Sequence, residues 1–523
     1  MPGRTLRSLV IAGLLFLAGT AQAAIPASER TVLLNLYTSA GGATWTNSTN
    51  WNGAAGTECT WYGVFCDAGG NTVTGIDLHS NNLTGSLPGA LNSLTNLAYF
   101  SVFFNQLTGP IPALTGLTSL GTFIVGSNQL TGPIPALVGL TSLDYFAVDN
   151  NQLTGPIPAL TGLTKLAYFF VNSNQLTGPI PELSGLTNLN SFYVLGNQLT
   201  GPIPQLTGLT SLASFGVDNN QLTGSIPALA GLTSLAFFSV ATNQLTGSIP
   251  ALTGLTNLMS LLVYENQLTG SIPALTGLTS LATFSVGTNQ LTGSIPALTG
   301  LANLNAFGVA ENQLTGSIPA LTGLSVLTYF DARNNQLTGP IHTLAGVTDL
   351  VSFYVRNNQL NGSIPALAGL MSLSDFDVDN NQLTGSIPAL AGMTSLNYFD
   401  VHGNQLSGSI PALTGLPNLV YFDVDSNQLT GSIPALTSLT NLARFRVNNN
   451  ALTGNVPSVP SPSALTAGGS SLCPNLLNPT TDPAWDAATG VTPWYTSCVG
   501  PALQGAASRM VQGSGTFDLP LSP

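Results

Sequence analysis

The chain has 523 residues, of which 44% are apolar and only 6% are charged, and its formal net charge is −12. The apolar content excludes a chain that is disordered over most of its length. The negative charge repels nucleic-acid phosphates and gives no help in docking to anionic membranes, whereas it favours basic partners or cations. We therefore expect no nucleic-acid partner and no membrane insertion.

The first 23 residues have the pattern of a secretory signal peptide. Arg4 and Arg7 give a positive start, residues 9–18 form a short apolar run, and residues 21–23 (Ala-Gln-Ala) suit a cleavage site before Ala24. The run is too short for a comfortable membrane span, and an uncleaved anchor is the alternative. Cleavage would change the net charge from −12 to −14 and predicts a secreted, periplasmic or cell-surface protein.

Residues 24–75 are predicted to form an N-terminal cap. Residues 29–37 have the pattern of a short amphipathic helix. A stretch rich in tryptophan and cysteine follows it and ends with residues 59–66 (Cys-Thr-Trp-Tyr-Gly-Val-Phe-Cys). A cap is expected at this position because the first unit of a stacked array would otherwise expose its apolar stripe.

Residues 76–457 consist of seventeen repeats of 23–24 residues. The asparagine at the register of Asn289 occurs 17 times, first at Asn81, then at Asn105, and from there every 23 residues to Asn450. No single unit can bury its apolar residues alone, whereas stacked units bury them as one continuous core. With strands about 4.8 Å apart, seventeen coils would span roughly 75–80 Å.

Each repeat predicts a short strand, a turn and an irregular return. Phe284 and Val286 alternate with small residues, so the pair faces inward and the small residues face outward. The amide of Asn289 is expected to bond backbone groups of its own and neighbouring coils. The segment after Pro296 is too short for a full helix. We therefore predict a curved solenoid with a parallel β-sheet on its concave face and an irregular or 3-10 convex side.

The C-terminal end is predicted to be a second cap. Residues 458–470 are rich in proline, serine and glycine and suggest a linker, and residues 473–498 enclose two tryptophans. Linker and cap together occupy residues 458–499. Residues 500–523 lack periodicity and are expected to form a flexible tail.

The four cysteines are Cys59, Cys66, Cys473 and Cys498. An even number in an exported chain predicts disulfides, and three connectivities are possible. The pairs Cys59–Cys66 and Cys473–Cys498 are favoured because a long stiff rod would keep its two ends apart. A zinc site is the alternative, although no CxxC spacing supports it.

The repeat resembles the leucine-rich repeat family over about residues 76–457. The plant-type pattern LxGxIP stands at residues 291–296, and the pattern C-x-W-x-G-V-x-C at residues 59–66 resembles the N-terminal cap of plant-type repeat proteins. The unit is one residue shorter than usual, and phenylalanine mostly replaces the first strand leucine. The similarity to polygalacturonase-inhibiting proteins and plant receptor-kinase ectodomains implies binding of a protein, peptide or cell-wall glycan on the concave face.

Outward-facing strand positions in the N-terminal half form the first candidate binding surface. Large aromatic side chains on adjacent coils would make a contiguous exposed patch, which usually marks an interaction surface. The alternative is that aromatic residues simply favour strands. The candidate residues are Phe103, Phe104, Ile124, Tyr145, Tyr168, Phe170 and Tyr193.

An acidic cluster in the C-terminal part is the second candidate. Its members are Asp377, Asp379, Asp400, His402, Asp423 and Asp425. Carboxylates this close are unfavourable unless something compensates their charge. Three explanations stay open: solvated acids flanked by Arg356 and Arg446, a basic partner, or a calcium ion at Asp377, Asp400 and Asp423. We expect a raised pKa for His402 in this setting.

The sequence predicts binding without catalysis, and no cofactor is expected. A nucleophile–histidine–acid arrangement needs a hydroxyl or thiol in reach and an oxyanion pocket, and an open sheet does not exclude water. Two other functions remain as alternatives. One is a structural spacer or surface adhesin, because nearly identical repeats stack by design. The other is ice binding, because charge is scarce and Thr269, Thr292 and Thr315 fall in one column.

Overall fold

The computed structural model describes residues 24–498, which form one continuous stack of coils. Most strands are three residues long and pair side by side in an 18-stranded sheet. The predicted fold class, a leucine-rich-repeat solenoid with a parallel sheet and disulfide-pinned ends, is confirmed. The predicted signal peptide (1–23) and tail (500–523) lie outside the described residues.

The 18-stranded sheet, called the concave sheet below, is parallel except at its first pair, where Val64–Cys66 runs antiparallel to Val73–Asp77. The first parallel pair has a sequence offset of 24 residues, as in Ile76 with Phe100, and every later one has an offset of 23 residues, as in Phe284 with Phe307. The strands are Val64–Cys66, Val73–Asp77, Tyr99–Ser101, Thr122–Ile124, Tyr145–Ala147, Tyr168–Phe170, Ser191–Tyr193, Ser214–Gly216, Phe237–Ser239, Ser260–Leu262, Thr283–Ser285, Ala306–Gly308, Tyr329–Asp331, Ser352–Tyr354, Asp375–Asp377, Tyr398–Asp400, Tyr421–Asp423 and Arg444–Arg446.

The core is one apolar column that runs the length of the stack. Phe284 and Val286 are fully buried, as predicted from their alternation with small residues. The rings of Phe284 and Phe307 stack with their centroids 5.4 Å apart and their planes 12° apart. Leu261 replaces phenylalanine in one coil and is equally buried, so the apolar column continues through this coil without an aromatic ring. Burial of this stripe is the main source of stability, since no coil can achieve it alone.

The asparagines form the predicted ladder between coils. Asn312 donates from Nδ2 to the carbonyl oxygens of Val309 and Ala310 in its own coil and of Val286 in the preceding coil. Its Oδ1 accepts a hydrogen bond from the backbone N–H of Leu291 at 2.9 Å. Each such amide therefore satisfies backbone groups on both sides of one coil boundary.

A second set of strands follows the asparagine in several coils and was not predicted. Glycine with a positive φ, such as Gly293 at +77°, bends the chain there. Seven of these strands pair in one parallel sheet, formed by Thr84–Ser86, Gln106–Pro110, Gln129–Pro133, Gln152–Pro156, Gln175–Gly178, Gln198–Pro202 and Gln221–Thr223. Three further pairs are Thr338–Pro340 with Gln359–Asn361, Ser407–Ser409 with Gln428–Thr430, and Thr453–Gly454 with Leu476–Leu477. The convex return is made mostly of turns, with a 3-10 segment at Leu91–Ser93.

The N-terminal end is covered by a helix, Ala27–Ser39, which is slightly longer than predicted. Short 3-10 segments follow at Gly42–Thr44 and Glu58–Thr60. Trp45, Trp51 and Trp61 are buried beneath the helix. The disulfide between Cys59 and Cys66 joins the end of this segment to the first strand, as predicted.

The C-terminal end continues the repeat beyond the last predicted unit. Asn475 donates to the carbonyl oxygens of Val447 and Leu472, and its Oδ1 accepts from the N–H of Leu452, so the asparagine ladder extends into the cap. A helix, Pro483–Thr489, and a 3-10 segment, Trp494–Cys498, complete the end. The second disulfide joins Cys473 to Cys498, which confirms the predicted pairing.

Candidate functional site

The predicted aromatic residues line one groove on the concave sheet. The groove has a volume of about 730 Å³, and five of the seven candidates contribute to it, together with polar side chains at Asp149, Asn150 and Asn172. The five are Phe103, Ile124, Tyr145, Phe170 and Tyr193. The short strands place these side chains outward because only the central residue of each strand faces the core. We call this surface the aromatic groove.

The rings of the aromatic groove contact each other across coils. Phe170 lies 5.5 Å from Tyr145 and 5.6 Å from Tyr193, measured between ring centroids. Tyr168 does not line the groove but lies beside it, with its ring 5.3 Å from that of Tyr145. Each ring therefore supports its neighbours, and the groove wall is formed before any ligand arrives.

Phe104 departs from the predicted surface. It occupies the turn after the strand, with a positive φ of 55°, and it is 63% exposed. It lines a separate depression beside Thr46 and Ser127, although its ring lies 6.2 Å from that of Phe103. Both phenylalanines were assigned to the same surface because the sequence pattern did not show that Phe104 is the turn residue.

Asp149 is the residue of this groove that sequence reasoning missed. It follows Val148 in the register that Phe103 and Leu195 occupy in their coils. Its Oδ2 accepts a hydrogen bond of 2.7 Å from Asn150. Burial raises the pKa of the Asp149 carboxyl, against the lowering effect of that hydrogen bond. The sequence feature that could have identified Asp149 is an acidic residue among outward positions that otherwise carry large aromatic residues.

Four of the five aspartates in the acidic cluster are buried, so solvated acids, one of the three explanations left open by the sequence, do not describe them. Asp377, Asp379, Asp400 and Asp423 are each no more than 5% exposed. The strand register aligns three of them on adjacent strands, because Asp377 pairs with Asp400 and Asp400 with Asp423. Asp425 is only partly buried and accepts hydrogen bonds from Ser426 and Asn448. Neighbouring side chains on the curved sheet cover these carboxylates.

Tyrosine hydroxyls donate hydrogen bonds to the cluster, and two arginines flank it. Tyr398 and Tyr421 each donate a hydroxyl hydrogen bond of 3.0 Å to the aspartate two residues later, Asp400 and Asp423. The flanking arginines were predicted and are present: Arg356 lies 3.7 Å from Asp377, and Arg446 lies 3.6 Å from Asp423.

His402 bridges two carboxylates of the cluster. Its Nδ1 lies 2.7 Å from Asp400 Oδ1, and its Nε2 lies 3.3 Å from Asp379 Oδ2. The hydrogen bond to Asp400 raises the pKa of His402 to about 9, with further contributions from the charges of Asp400, Asp379 and Asp423. The pKa shift has the predicted direction, and Asp400 is its main cause.

The carboxylates of Asp377 and Asp379 repel each other. Burial raises the pKa of Asp377 well above its usual range, and the nearby Asp379 carboxylate raises it further. Asp379 Oδ1 is buried and accepts no hydrogen bond from any of the residues 24–498. Both observations fit a proton held by Asp377 at neutral pH, which lowers the repulsion between the two carboxylates.

The cation-ligand arrangement differs from the predicted one. Asp400, His402 and Asp423 offer ligand atoms that lie within 4.8 Å of one another. The triad contains a nitrogen and omits Asp377, whereas calcium prefers six to eight oxygen ligands. A calcium site at Asp377, Asp400 and Asp423 therefore stays a prediction that the observed contacts do not favour.

The threonine column behind the ice-binding alternative is exposed. Thr269, Thr292 and Thr315 lie on the surface in the segment after the asparagine turn. The hydroxyls of Thr269 and Thr315 donate to the carbonyl oxygens of Gly247 and Gly293 at 3.3 Å. Threonine at this position thus has a structural role in joining adjacent coils.

Taken together, the stacked coils, the asparagine ladder and the open concave sheet define a leucine-rich-repeat solenoid with a groove on its concave face. None of the helices within residues 24–498 is long and apolar enough to cross a membrane. No protein-family model matches the chain.

Proteins similar to short stretches of this chain include plant leucine-rich-repeat receptor kinases. The chain is 44% identical over 66 residues to the receptor-like kinase TMK2, and 36% identical over 63 residues to the receptor-like protein kinase HSL1, both of Arabidopsis thaliana. Each match covers 12% of this chain, but only 7% and 6% of the two kinases. The chain thus matches a small part of those proteins.

Solved structures of receptor ectodomains share the fold over most of the chain. The ectodomain of the Arabidopsis thaliana receptor kinase GASSHO1/SCHENGEN3, in complex with CASPARIAN STRIP INTEGRITY FACTOR 2, has 29% identity and a TM-score of 0.60, over 86% of this chain and 65% of that one. The Arabidopsis receptor kinase HAESA, in complex with the peptide hormone IDA and the co-receptor SERK1, has 27% identity and a TM-score of 0.56, over 86% of this chain and 90% of that one.

Proposed function

We propose that this chain is an exported binding protein that recognises a peptide or a segment of a protein on its concave face. The aromatic groove is the observation that carries the proposal, because it is a preformed apolar depression with a few polar groups, as ligand sites commonly are. The similar ectodomains of GASSHO1/SCHENGEN3 and HAESA were solved with peptide ligands or factors bound, which supports the same class of partner. The signal-like pattern of residues 1–23 supports export.

Binding is proposed in place of catalysis. In the acidic cluster, His402 is held between two carboxylates, and the tyrosine hydroxyls already donate to aspartates. Such a histidine is protonated near neutral pH and does not serve as a base toward a hydroxyl nucleophile. These contacts support a structural role for the cluster.

The test is selection from a displayed library of random 12-residue peptides on the chain. A variant with Phe103→Ala, Phe170→Ala and Tyr193→Ala is the comparison, and thermal melting verifies that it is folded. We expect peptides that bind the unaltered chain and lose at least roughly tenfold in affinity on the variant, since buried aromatic anchors dominate interface energies.

Two other results would redirect the proposal. Binding on a glycan array together with no selected peptide would identify a polysaccharide as the ligand. Absence of any peptide or glycan ligand would contradict the binding function and favour the structural spacer or adhesin.

A further inference from the structure

We propose that the aromatic groove takes a basic side chain, an arginine or lysine of the bound peptide, which pairs with Asp149 between aromatic rings. The inference rests on the proposed function and names the residue type that would anchor the ligand. It follows from how Asp149 differs from the other buried acids of the concave face.

Asp149 is a carboxylate in the groove without a cationic partner. The Lys, Arg and His ion pairs formed by residues 24–498 involve other acids. Only Asn150 donates a side-chain hydrogen bond to it, at Oδ2. Its Oδ1 accepts no hydrogen bond from residues 24–498 and packs over Gly126 of the preceding coil, where a Cβ would come within 2.6 Å of that oxygen. The glycine therefore makes room for the carboxylate itself, and Oδ1 is left as the acceptor that a ligand can use.

The other acids of the concave sheet show what a structural carboxylate receives from its own chain. Asp377 has Arg356 and Asp423 has Arg446 as cationic partners. Asp218, in the same register as Asp149 three coils later, accepts hydrogen bonds from the Ser239 hydroxyl and from the N–H of Ala241. Asp149 has no cationic partner among residues 24–498, and its one side-chain hydrogen bond, from Asn150, leaves Oδ1 without a donor, so its charge is available to a ligand.

The surroundings of Asp149 select an organic cation. Tyr145, Phe170 and Tyr193 line the same groove, and aromatic faces attract ammonium and guanidinium groups, most strongly when these groups are desolvated. A guanidinium can also stack on a ring while it donates to a carboxylate. A hard metal ion would need several oxygen ligands, whereas among residues 24–498 the groove offers, apart from the hydroxyls of Tyr145 and Tyr193, one carboxylate at Asp149 and the two amides of Asn150 and Asn172.

A half-buried carboxylate without a partner is unfavourable, and this supports the same assignment. Burial raises the pKa of Asp149, which shows that the charged form loses hydration in the groove. A bound cation would offset this loss through a direct charge-assisted hydrogen bond. The net charge of the whole chain, −12, favours a basic ligand at long range as well.

The experiment uses the same random 12-residue peptide library on three forms of the full chain: unaltered, Asp149→Asn and Asp218→Asn. Asp218→Asn is the matched control, because it removes an acid of the same register that is partly buried, as Asp149 is, and that does not line the groove. The best peptide is then synthesised with its basic residue and with citrulline or norleucine in place of arginine or lysine. These replacements remove the charge and need no protein variant, so the test holds even if Asp149→Asn fails to fold.

We expect the unaltered chain and Asp218→Asn to select peptides with a shared arginine or lysine. The uncharged analogue should bind them roughly tenfold more weakly, and Asp149→Asn should show less than a twofold difference between the two peptides. Selected peptides that lack a basic residue, or an equal loss on Asp149→Asn, would overturn the inference and leave the proposed function intact. If no peptide is selected by the unaltered chain, both proposals fail.

Discussion

Removal of one rung of the asparagine ladder should weaken the stack far more than removal of an ordinary surface asparagine. Asn312 is 9% exposed and makes four contacts of hydrogen-bond length to backbone groups, three of 3.0–3.2 Å from Nδ2 and one of 2.9 Å to Oδ1. Because Nδ2 carries two hydrogens, its three contacts count as two hydrogen bonds, and at about 1 kcal/mol for each of the three bonds in total Asn312→Ala should lower the free energy of unfolding by about 3 kcal/mol. Buried backbone groups left without partners would add to this value.

The matched control is Asn303→Ala on the convex side of the same region. Asn303 is exposed and donates a single side-chain hydrogen bond, to the carbonyl of Thr279 at 2.8 Å. Its loss should cost about 1 kcal/mol or less. Urea unfolding followed by circular dichroism measures both variants, and hydrogen exchange should show lost protection at the amide of Leu291. Equal destabilisation of the two variants would refute the ladder as a major source of stability.

Three further outcomes are expected. Phe307→Ala should lower the free energy of unfolding by about 3–5 kcal/mol in urea titrations, because it leaves a gap in the phenylalanine column. The melting temperature should fall as pH rises from about 6.5 to 9, because folding raises the pKa of both His402 and Asp377, so the folded state binds more protons than the unfolded state in this range. The fall should be smaller in His402→Gln, and a melting temperature that does not change with pH would contradict this reasoning. Cys473→Ser with Cys498→Ser should lower the melting temperature in differential scanning calorimetry by loosening the C-terminal end.

The fold could be predicted from the sequence because one period determines most contacts. A repeat of 23 residues places Phe284 beside Phe307 and Asn289 beside Asn312 whatever the details of the turns. The second set of strands was missed because its residues, such as Gln106–Pro110, contain glycine and proline, which normally argue against strands. Those strands form because each coil presents the same backbone groups to the next one.

The site was predicted in outline but not in its electrostatics. Outward residues could be assigned to columns, yet the sequence did not show that Asp377 and Asp400 would be buried. Burial comes from the curvature of the sheet and from tyrosines two residues earlier on the same strand, as with Tyr398 and Asp400. A search for tyrosine or arginine beside each acid would have separated these aspartates from Asp149.

The two candidate surfaces are too far apart for a short ligand to contact both. Eight coil steps separate the strand that carries Tyr193 from the strand that carries Asp377, which corresponds to about 38 Å at 4.8 Å per step. The outward positions between them include small residues such as Ser285 and Gly308. An extended peptide would need roughly 11–12 residues to cover that distance. Because the acidic cluster has its own arginines and histidine, whereas Asp149 has no cation, a short basic ligand should bind at the N-terminal half of the concave face. Truncation of a selected peptide to five residues around its basic side chain should therefore retain dependence on Asp149, and a dependence on Asp377 in its place would contradict this division of the concave face.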